Sequence, residues 1–289
     1  MKLLLETLQG GCDYLAKKGI EDPRLNMEHL LAHVLGCRRL DLYLRFNETL
    51  HEPDLGPLRQ LLRRRGEGEP LQHLLGSVEF CGHEFISDSR ALVPRPETEY
   101  LVEELIRRFR SAPPATVLDV GAGSGCIGLS LAAVWPSAQV LLVDISEDAL
   151  ELTRLNATRI KLDANHVKTL RSDLFEKVTG AFDLITANLP YIPKAEIPTL
   201  SREVRRDPIL ALDGGASGLE IVDRFITECS AHLTPDGWIA LELGHDQSAA
   251  VAEQLGALSF RSIEAFKDLA GIERFVVAQR PASSAPILS

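Results

Sequence analysis

The run Val117-Leu118-Asp119-Val120-Gly121-Ala122-Gly123-Ser124-Gly125-Cys126-Ile127-Gly128 constrains this chain more than any other stretch. A short apolar strand from Thr116 to Val120 leads into alternating glycines, and an apolar helical pattern follows through about Val134. Glycines lack a β-carbon, so the turn can bend tightly and approach a ligand. Open parallel sheets bind ligands beyond the carboxyl ends of their strands, which is where this turn falls. Asp144 ends the next strand, Val140 to Val143, and is placed to accept hydrogen bonds from both hydroxyls of a ribose. The glycines alone do not choose the ligand, because Gly123 to Gly128 also fits the dinucleotide fingerprint.

The rest of the chain repeats the strand–helix alternation. After Asp144 come a helix over Glu147 to Ile160, strands at Val167 to Leu170 and Phe182 to Ala187, and a helix near Glu220 to Leu233. A strand at Trp238 to Leu243 and further candidates at Phe260 to Glu264 and Arg274 to Ala278 complete the set. Such alternation predicts a parallel or mostly parallel sheet covered on both faces. The N-terminal quarter reads differently. Asp22 is expected to cap a helix with Pro23 at its first position and Met27, Leu30, Leu31, Val34 and Leu35 on one face. Leu55, Leu58, Leu61 and Leu62 mark another, ending in Arg63 to Gly66, and Leu3, Leu4, Leu8 and Leu15 are compatible with a third. Val78 to Ile86 suggests a hairpin, and Glu97 to Phe109 a helix. The predicted organisation is a helical domain over 1–75, a hairpin connector over 76–92, an α/β domain over 93–281 and a loose tail over 282–289.

Composition narrows the function classes. At 289 residues, 45% apolar and 25% charged, the chain can bury a substantial core. Its net charge is −10, and the excess acid lies outside the first 76 residues, which hold 11 basic and 11 acidic side chains. That balance argues against stable binding to bare nucleic acid. The five cysteines are scattered, with no paired or His/Cys spacing, so neither a disulfide framework nor a metal site is expected and a cytoplasmic setting fits. Met1 to Leu8 is too short, and too broken by Glu6, for a signal peptide, and no apolar run is long enough for a membrane span.

The chemistry enters at the end of the strand Phe182 to Ala187, which runs into Asn188-Leu189-Pro190-Tyr191. This segment resembles the Asn-Pro-Pro-Tyr motif of methyltransferases that act on planar exocyclic or side-chain nitrogens, and Val117 to Gly125 resembles the first motif of S-adenosylmethionine-dependent methyltransferases. That resemblance implies S-adenosyl-L-methionine as cofactor and S-adenosyl-L-homocysteine as product. It places Asp119, Gly121, Ala122, Gly123, Gly125, Asp144 and Ile145 around the cofactor, with Asp173 on the adenine amino group and Leu174 and Phe175 along the ring. It gives Asn188 and the Leu189 main chain the two N–H hydrogens of the acceptor nitrogen, with Pro190 in the same turn and Tyr191 flat against the amide. Leu189 stands where the motif has its first proline, removing a fixed φ from the turn.

Leu92-Val93-Pro94-Arg95-Pro96-Glu97-Thr98-Glu99 then closely resembles a signature of the release factor glutamine methyltransferases, the PrmC or HemK family. Further likenesses are Gly76 to Phe80, Arg206-Asp207-Pro208, Glu242 to Gln247 and Asp268 to Gly271. The resemblance implies a seven-stranded Rossmann-like class I methyltransferase domain preceded by a small all-helical domain and a β-hairpin connector. It implies bacterial class I peptide chain release factors as partners, methylated at N5 of the glutamine in their Gly-Gly-Gln loop. It also implies a helical domain that assists docking, and Arg95, Pro96, Glu97, Thr98 and Arg206 toward the substrate; a monomer is expected. Two alternatives remain at this level: an adenine or guanine amino-group methyltransferase acting on DNA or RNA, and a noncatalytic interaction module on the same fold.

Overall fold

The computed structural model describes residues 1–281, so the tail expected over 282–289 lies outside the described residues. Contacts divide the chain into two compact units, Met1–Ser77 with Leu200–Arg206, and Val78–Thr199 with the chain from Asp207 on.

In the first unit, Lys2–Leu3 (β1) pairs antiparallel with Thr49–Leu50 (β2), and four helices follow the apolar spacing: α1 (Leu4–Lys17), α2 (Pro23–Leu35), α3 (Glu52–Gly66) and α4 (Leu71–Leu75). Leu4, Leu8, Leu15, Met27, Leu30, Leu31 and Leu58 form its core, so the expectation of a wholly helical unit needs only the two-residue pair β1–β2 as correction. Asp22 departs from its expected role. Its backbone is left-handed and its side chain makes no capping bond; its carbonyl instead accepts from the Asn26 main chain and side chain. Residues 200–206, expected in the α/β domain, belong here because Arg65, almost fully buried, pairs with Glu203 at 2.6 Å while Arg206 donates to the Glu67 carbonyl.

The second unit opens with the expected hairpin, β3 (Ser77–Phe80) and β4 (His83–Ile86), turned by Cys81 and Gly82, both at positive φ. Helix α5 (Pro96–Arg108) precedes β5 (Thr116–Val120), α6 (Cys126–Val134), β6 (Gln139–Asp144), α7 (Glu147–Arg159), β7 (Val167–Arg171) and β8 (Phe182–Asn188). After a long connection come α8 (Glu220–Cys229), β9 (Leu233–Glu242), α9 (Ser248–Ala257), β10 (Arg261–Lys267) and β11 (Glu273–Gln279). The sheet order is β10-β11-β9-β8-β5-β6-β7. Strands β9, β8, β5, β6 and β7 are parallel, whereas β11 runs antiparallel to both of its neighbours.

Alternate residues of each strand feed two apolar layers. Leu118, Val120, Ile185 and Ile239 pack with Phe225 and Leu255 on the α8–α9 face, and Val117, Leu142, Leu184 and Val277 pack with Leu101, Leu105 and Leu129 on the α5–α6 face. Strand order reverses between β5 and β8, because the chain leaves β5 toward β6 and returns to β8 on its other side. Both strands end there without a crossing connection, which opens a crevice at their carboxyl ends.

Candidate active site

A cavity of about 340 Å³ occupies that crevice, within the range of small-molecule sites. The glycine turn forms its floor. Gly121 and Gly123 have φ of +72° and +57°, a region open to glycine, and both line the cavity with Ala122. Asp144 stands opposite. One carboxylate oxygen accepts from the Gly123 N–H at 2.9 Å and the other from the Ser146 N–H at 2.8 Å. Each oxygen keeps a further lone pair for a ligand hydroxyl, and burial raises the Asp144 pKa against these bonds.

The turn is clamped from α7. Thr153 Oγ1 donates to the Gly123 carbonyl at 2.9 Å, and the Asn156 amide donates to the Ser124 carbonyl at 2.9 Å while its oxygen accepts from the Ile86 N–H at 2.6 Å. The sequence reading passed over both residues. Their signal is the helical period, since Thr153 and Asn156 put polar groups three apart on a buried stripe.

Asp119, expected against the cofactor, does not line the cavity. It is almost fully buried on the α5–α6 face, where one oxygen accepts from the Gly128 N–H at 2.9 Å and the other from Thr186 Oγ1 at 2.8 Å. Its carboxylate therefore ties β5 to α6 and β8, and burial pushes its pKa up to about 7. Gly125 also lies behind the wall: a β-carbon there would stand 2.8 Å from Leu129 and 2.9 Å from Thr153. Beyond β7, Asp173 and Leu174 line the cavity, and Asp173 pairs with Arg224 at 3.1 Å. Phe175 does not. Leu174 takes a φ of +44°, and the next side chain turns into the core, stacked on His232 at 4.8 Å and tilted against Phe225. The half-exposed Ile145 remains at the lining.

On the β8 side, Asn188, Leu189 and Pro190 line the cavity. Asn188 is the register partner of Glu242 on β9, so the two side chains rise from the same face of the sheet. Thr98, in the first turn of α5, sits over them: Asn188 Nδ2 donates to Thr98 Oγ1 at 3.3 Å, and Thr98 Oγ1 donates to Glu242 Oε2 at 2.7 Å. Burial pushes the Glu242 carboxyl up to about 7, opposed by the Thr98 bond, Arg274 and a bond from the Asn188 side chain. Leu189 is buried, with Cδ2 only 2.9 Å from where a β-carbon on Gly121 would lie. Tyr191 is half-buried outside the lining, its carbonyl accepting from Gln247 Nε2 at 3.0 Å; burial and the Glu242 charge push its hydroxyl up to about 12.

Arg95 and Thr98 line the cavity, whereas Pro96 and Glu97 do not. Arg95 is held at 2.6 Å by the fully buried Asp207 carboxylate, which also accepts from the Val93 N–H. Arg206 is absent from the lining and bonds within the first unit instead, because its reach is taken by the Glu67 carbonyl. The exposed Ile209 and Leu210 also join the lining, a pair with no motif in the sequence to mark it. The described residues hold no cluster of His, Cys, Asp or Glu suited to a metal ion.

The donor set fits S-adenosylmethionine. Glycines at positive φ give backbone access, Asp144 offers two acceptor oxygens for a diol, Asp173 offers another acceptor, and Ile127, Ile145, Leu174 and Ile221 give apolar cover for a planar ring.

A mostly parallel seven-stranded sheet with this turn and acid at its switch point defines a class I, Rossmann-like methyltransferase fold. Among solved structures, a methyltransferase from Pyrococcus furiosus shares it at 19% identity and a TM-score of 0.52, over 68% of this chain and 88% of that one. A Thermus thermophilus 16S rRNA N2 G1207 methyltransferase, solved with AdoMet and guanosine, shares it at 20% identity and a TM-score of 0.50, over 71% of this chain and 49% of the other. Family models place a PrmC N-terminal domain at residues 6–76 and a methyltransferase small domain at 97–202. The release factor glutamine methyltransferase of Geobacter sulfurreducens is 41% identical over 91% of this chain and 92% of its own length, and that of Deinococcus radiodurans is 40% identical over 92% and 94%. The chain belongs to the release factor glutamine methyltransferase family.

Proposed function

We propose that this protein transfers a methyl group from S-adenosylmethionine to the N5 amide nitrogen of the Gly-Gly-Gln glutamine of bacterial class I release factors. In this reading it works in the cytoplasm as a monomer and holds no stable nucleic acid. The observation that carries the reading is the placement of Asn188 in the same cavity as Gly121, Gly123 and Asp144, with its amide nitrogen engaged by Thr98. That leaves Asn188 Oδ1 as an acceptor. Family membership supports a glutamine side chain as what it accepts from, and five free cysteines suit a reducing compartment.

An amide nitrogen is a poor nucleophile because its lone pair is delocalised into the carbonyl. Asn188 Oδ1 and the Leu189 carbonyl accept its two hydrogens, which fixes the rotation of the amide and draws its N–H bonds away from the direction of attack. Arg95, held by Asp207, lines the same cavity as a cation available to the substrate. When bound, S-adenosylmethionine supplies a methyl group activated by its sulfonium. Asp144, Gly121, Gly123, Asp173, Ile145 and Leu174 would hold the cofactor, while Asp119 acts one layer back by fixing the start of α6. Positioning of this kind contributes several kcal/mol, and up to roughly 7–11 in well-oriented model reactions.

Purified protein with labelled S-adenosylmethionine should label unmodified release factor, and peptide mapping should find the label on the Gly-Gly-Gln glutamine. Asn188→Ala should sharply reduce transfer while leaving cofactor binding nearly intact. Efficient label on RNA or DNA with none on release factor would overturn the substrate assignment.

A further inference from the structure

A side-chain amide is a two-ended group. Rotated by half a turn, Asn188 would offer the cavity two donors in place of an acceptor, and a substrate N–H would meet an N–H. The motif requires the oxygen end to face the ligand but does not itself hold it there. In this structure the choice is made by two buried neighbours from other elements.

Thr98 has one hydroxyl proton, and that proton goes to Glu242 Oε2 at 2.7 Å. With the proton committed, Thr98 Oγ1 offers Asn188 only lone pairs, and only Nδ2 can meet them, as it does at 3.3 Å. Thr98 and Glu242 are each 2% exposed, so water does not compete for these bonds. The register partnership of Asn188 with Glu242, and the seat of Thr98 in the first turn of α5, bring the three groups together from three elements.

We infer that Glu242 is a positioning residue for methyl transfer: through its own bond to the Asn188 side chain and through Thr98, its carboxylate orients the Asn188 amide so that Oδ1 is the end presented to the acceptor nitrogen. The inference rests on the proposed role of Asn188, and Glu242 itself lies behind the cavity lining. The relay has a protonation sense. A protonated Glu242 donates to Thr98 Oγ1, frees the threonine proton for Asn188, and thereby favours the rotated amide. Glu242 titrates near neutrality, at about 7. The charged and titratable groups that bear on it are Arg274 from β11, Glu97 from α5, Tyr191 beyond β8 and Cys126 from α6; Arg274 is itself held by Asp268 at 2.6 Å. Activity should therefore fall as pH drops through about 7.

Two measurements test this. In amide-resolved NMR spectra of the full chain without cofactor, the Asn188 side-chain NH₂ pair is assigned by its loss in Asn188→Asp. It should shift with a midpoint near pH 7 in the native protein, in Thr98→Ser and in Asp119→Asn, by less in Thr98→Val, and should not shift in Glu242→Gln. In single-turnover transfer to release factor, Glu242→Gln and Thr98→Val should lose roughly 10- to 100-fold in rate with cofactor affinity within about threefold. Thr98→Ser should retain most of the rate, and the acidic limb of the profile should survive in Asp119→Asn but vanish in Glu242→Gln. A pH-invariant Asn188 signal in the native protein, or a native rate and profile in Glu242→Gln, overturns the relay. A native protein that labels no release factor refutes the proposed function instead, and the NMR titration still decides the relay.

Discussion

Gly214→Ala gives a steric test of how tightly the Asn188–Tyr191 segment is held. Gly214 donates to the Ile192 carbonyl and its own carbonyl accepts from Glu220, so its backbone is fixed on both sides. Its φ lies outside the left-handed region, and alanine therefore meets no conformational penalty there. What it meets is main chain: the new β-carbon would stand 2.7 Å from the Gly218 oxygen, 2.8 Å from the Pro190 oxygen and 2.8 Å from Tyr191 Cα. Ordinary contact begins at 3.4 Å, so about 0.6 Å of overlap must be relieved by backbone with no rotamer to move. Overpacking of this kind costs about 1–3 kcal/mol, which for a chain of this size lowers Tm by roughly 2–10 °C. A displacement of about 1 Å costs on the order of 100-fold in a positioned reaction, so about half that, shared between two segments, predicts a loss of roughly 10-fold. Single-turnover methyl transfer reads the rate and calorimetry reads cofactor affinity, which should stay within about threefold because Asp144 and the glycine turn sit on other strands. Native transfer with unchanged Tm would show that the segment yields freely and that Gly214 does not set its position.

Asp144→Ala removes both acceptor oxygens; hydrogen bonds to charged groups are worth about 1.5–3 kcal/mol, so S-adenosylmethionine affinity by calorimetry should fall roughly 10- to 100-fold, and an unchanged value would refute its role. Burial holds Asp119 protonated up to about 7 against an ordinary 3.8, so between those values the native chain binds more protons than the unfolded one and this group's contribution lowers stability as pH rises. Asp119→Asn, which can still serve Gly128 and Thr186, should therefore gain on the native protein between pH 5 and pH 8 in denaturant unfolding; a constant difference would refute the shift. On α1, Gly10→Ala should raise stability by about 0.5–1 kcal/mol, because nothing lies within 4 Å of the new carbon. Its neighbour Gly11→Ala should lower stability, with Met27 Sδ in the way; equal signs in thermal melts would refute the packing of α1 on α2.

What was legible in the sequence is what local chemistry determines. The strand–turn–helix at Val117 to Gly128 announces itself because strand, glycine conformation and helix all lie within a dozen residues. The apolar stripe of α2 and the hairpin turn at Cys81–Gly82 are local in the same sense. The misreadings depend on distant partners or on one dihedral angle. Phe175 follows Asp173 in a segment that looks ligand-facing, yet the positive φ of Leu174 turns the ring into the core. Asp119 reads as a ligand group until its carboxylate is seen buried behind the cavity lining, bonded to Gly128 and Thr186. The Arg65–Glu203 pair, which draws residues 200–206 into the N-terminal unit, spans 138 positions, and Thr98–Glu242 spans 144. No periodicity reports such pairs. The antiparallel β11 is hidden likewise, since its direction is set by pairing with β9 and β10 and not by its own residues.

The departure at Leu189 shows how two motifs that look independent in sequence are one object in space. A proline at this position would hold the turn by fixing φ. Leucine cannot, but its side chain is 3% exposed and belongs to the apolar layer beneath the carboxyl ends of β5 and β8. Burying a leucine contributes about 1.5–3 kcal/mol, against about 0.4–1 kcal/mol for a proline at a compatible site, so the backbone carbonyl is held by packing where the motif's usual form holds it by ring closure. That packing has a condition. Leu189 Cδ2 occupies the space a β-carbon at Gly121 would take, so glycine is needed at 121 both for its φ of +72° and for the room it leaves. The glycine turn and the Asn188 segment thus share a van der Waals surface, so the cofactor side and the substrate side of the cavity meet at this contact, just beyond the last β5–β8 register pair, Val120 with Ala187.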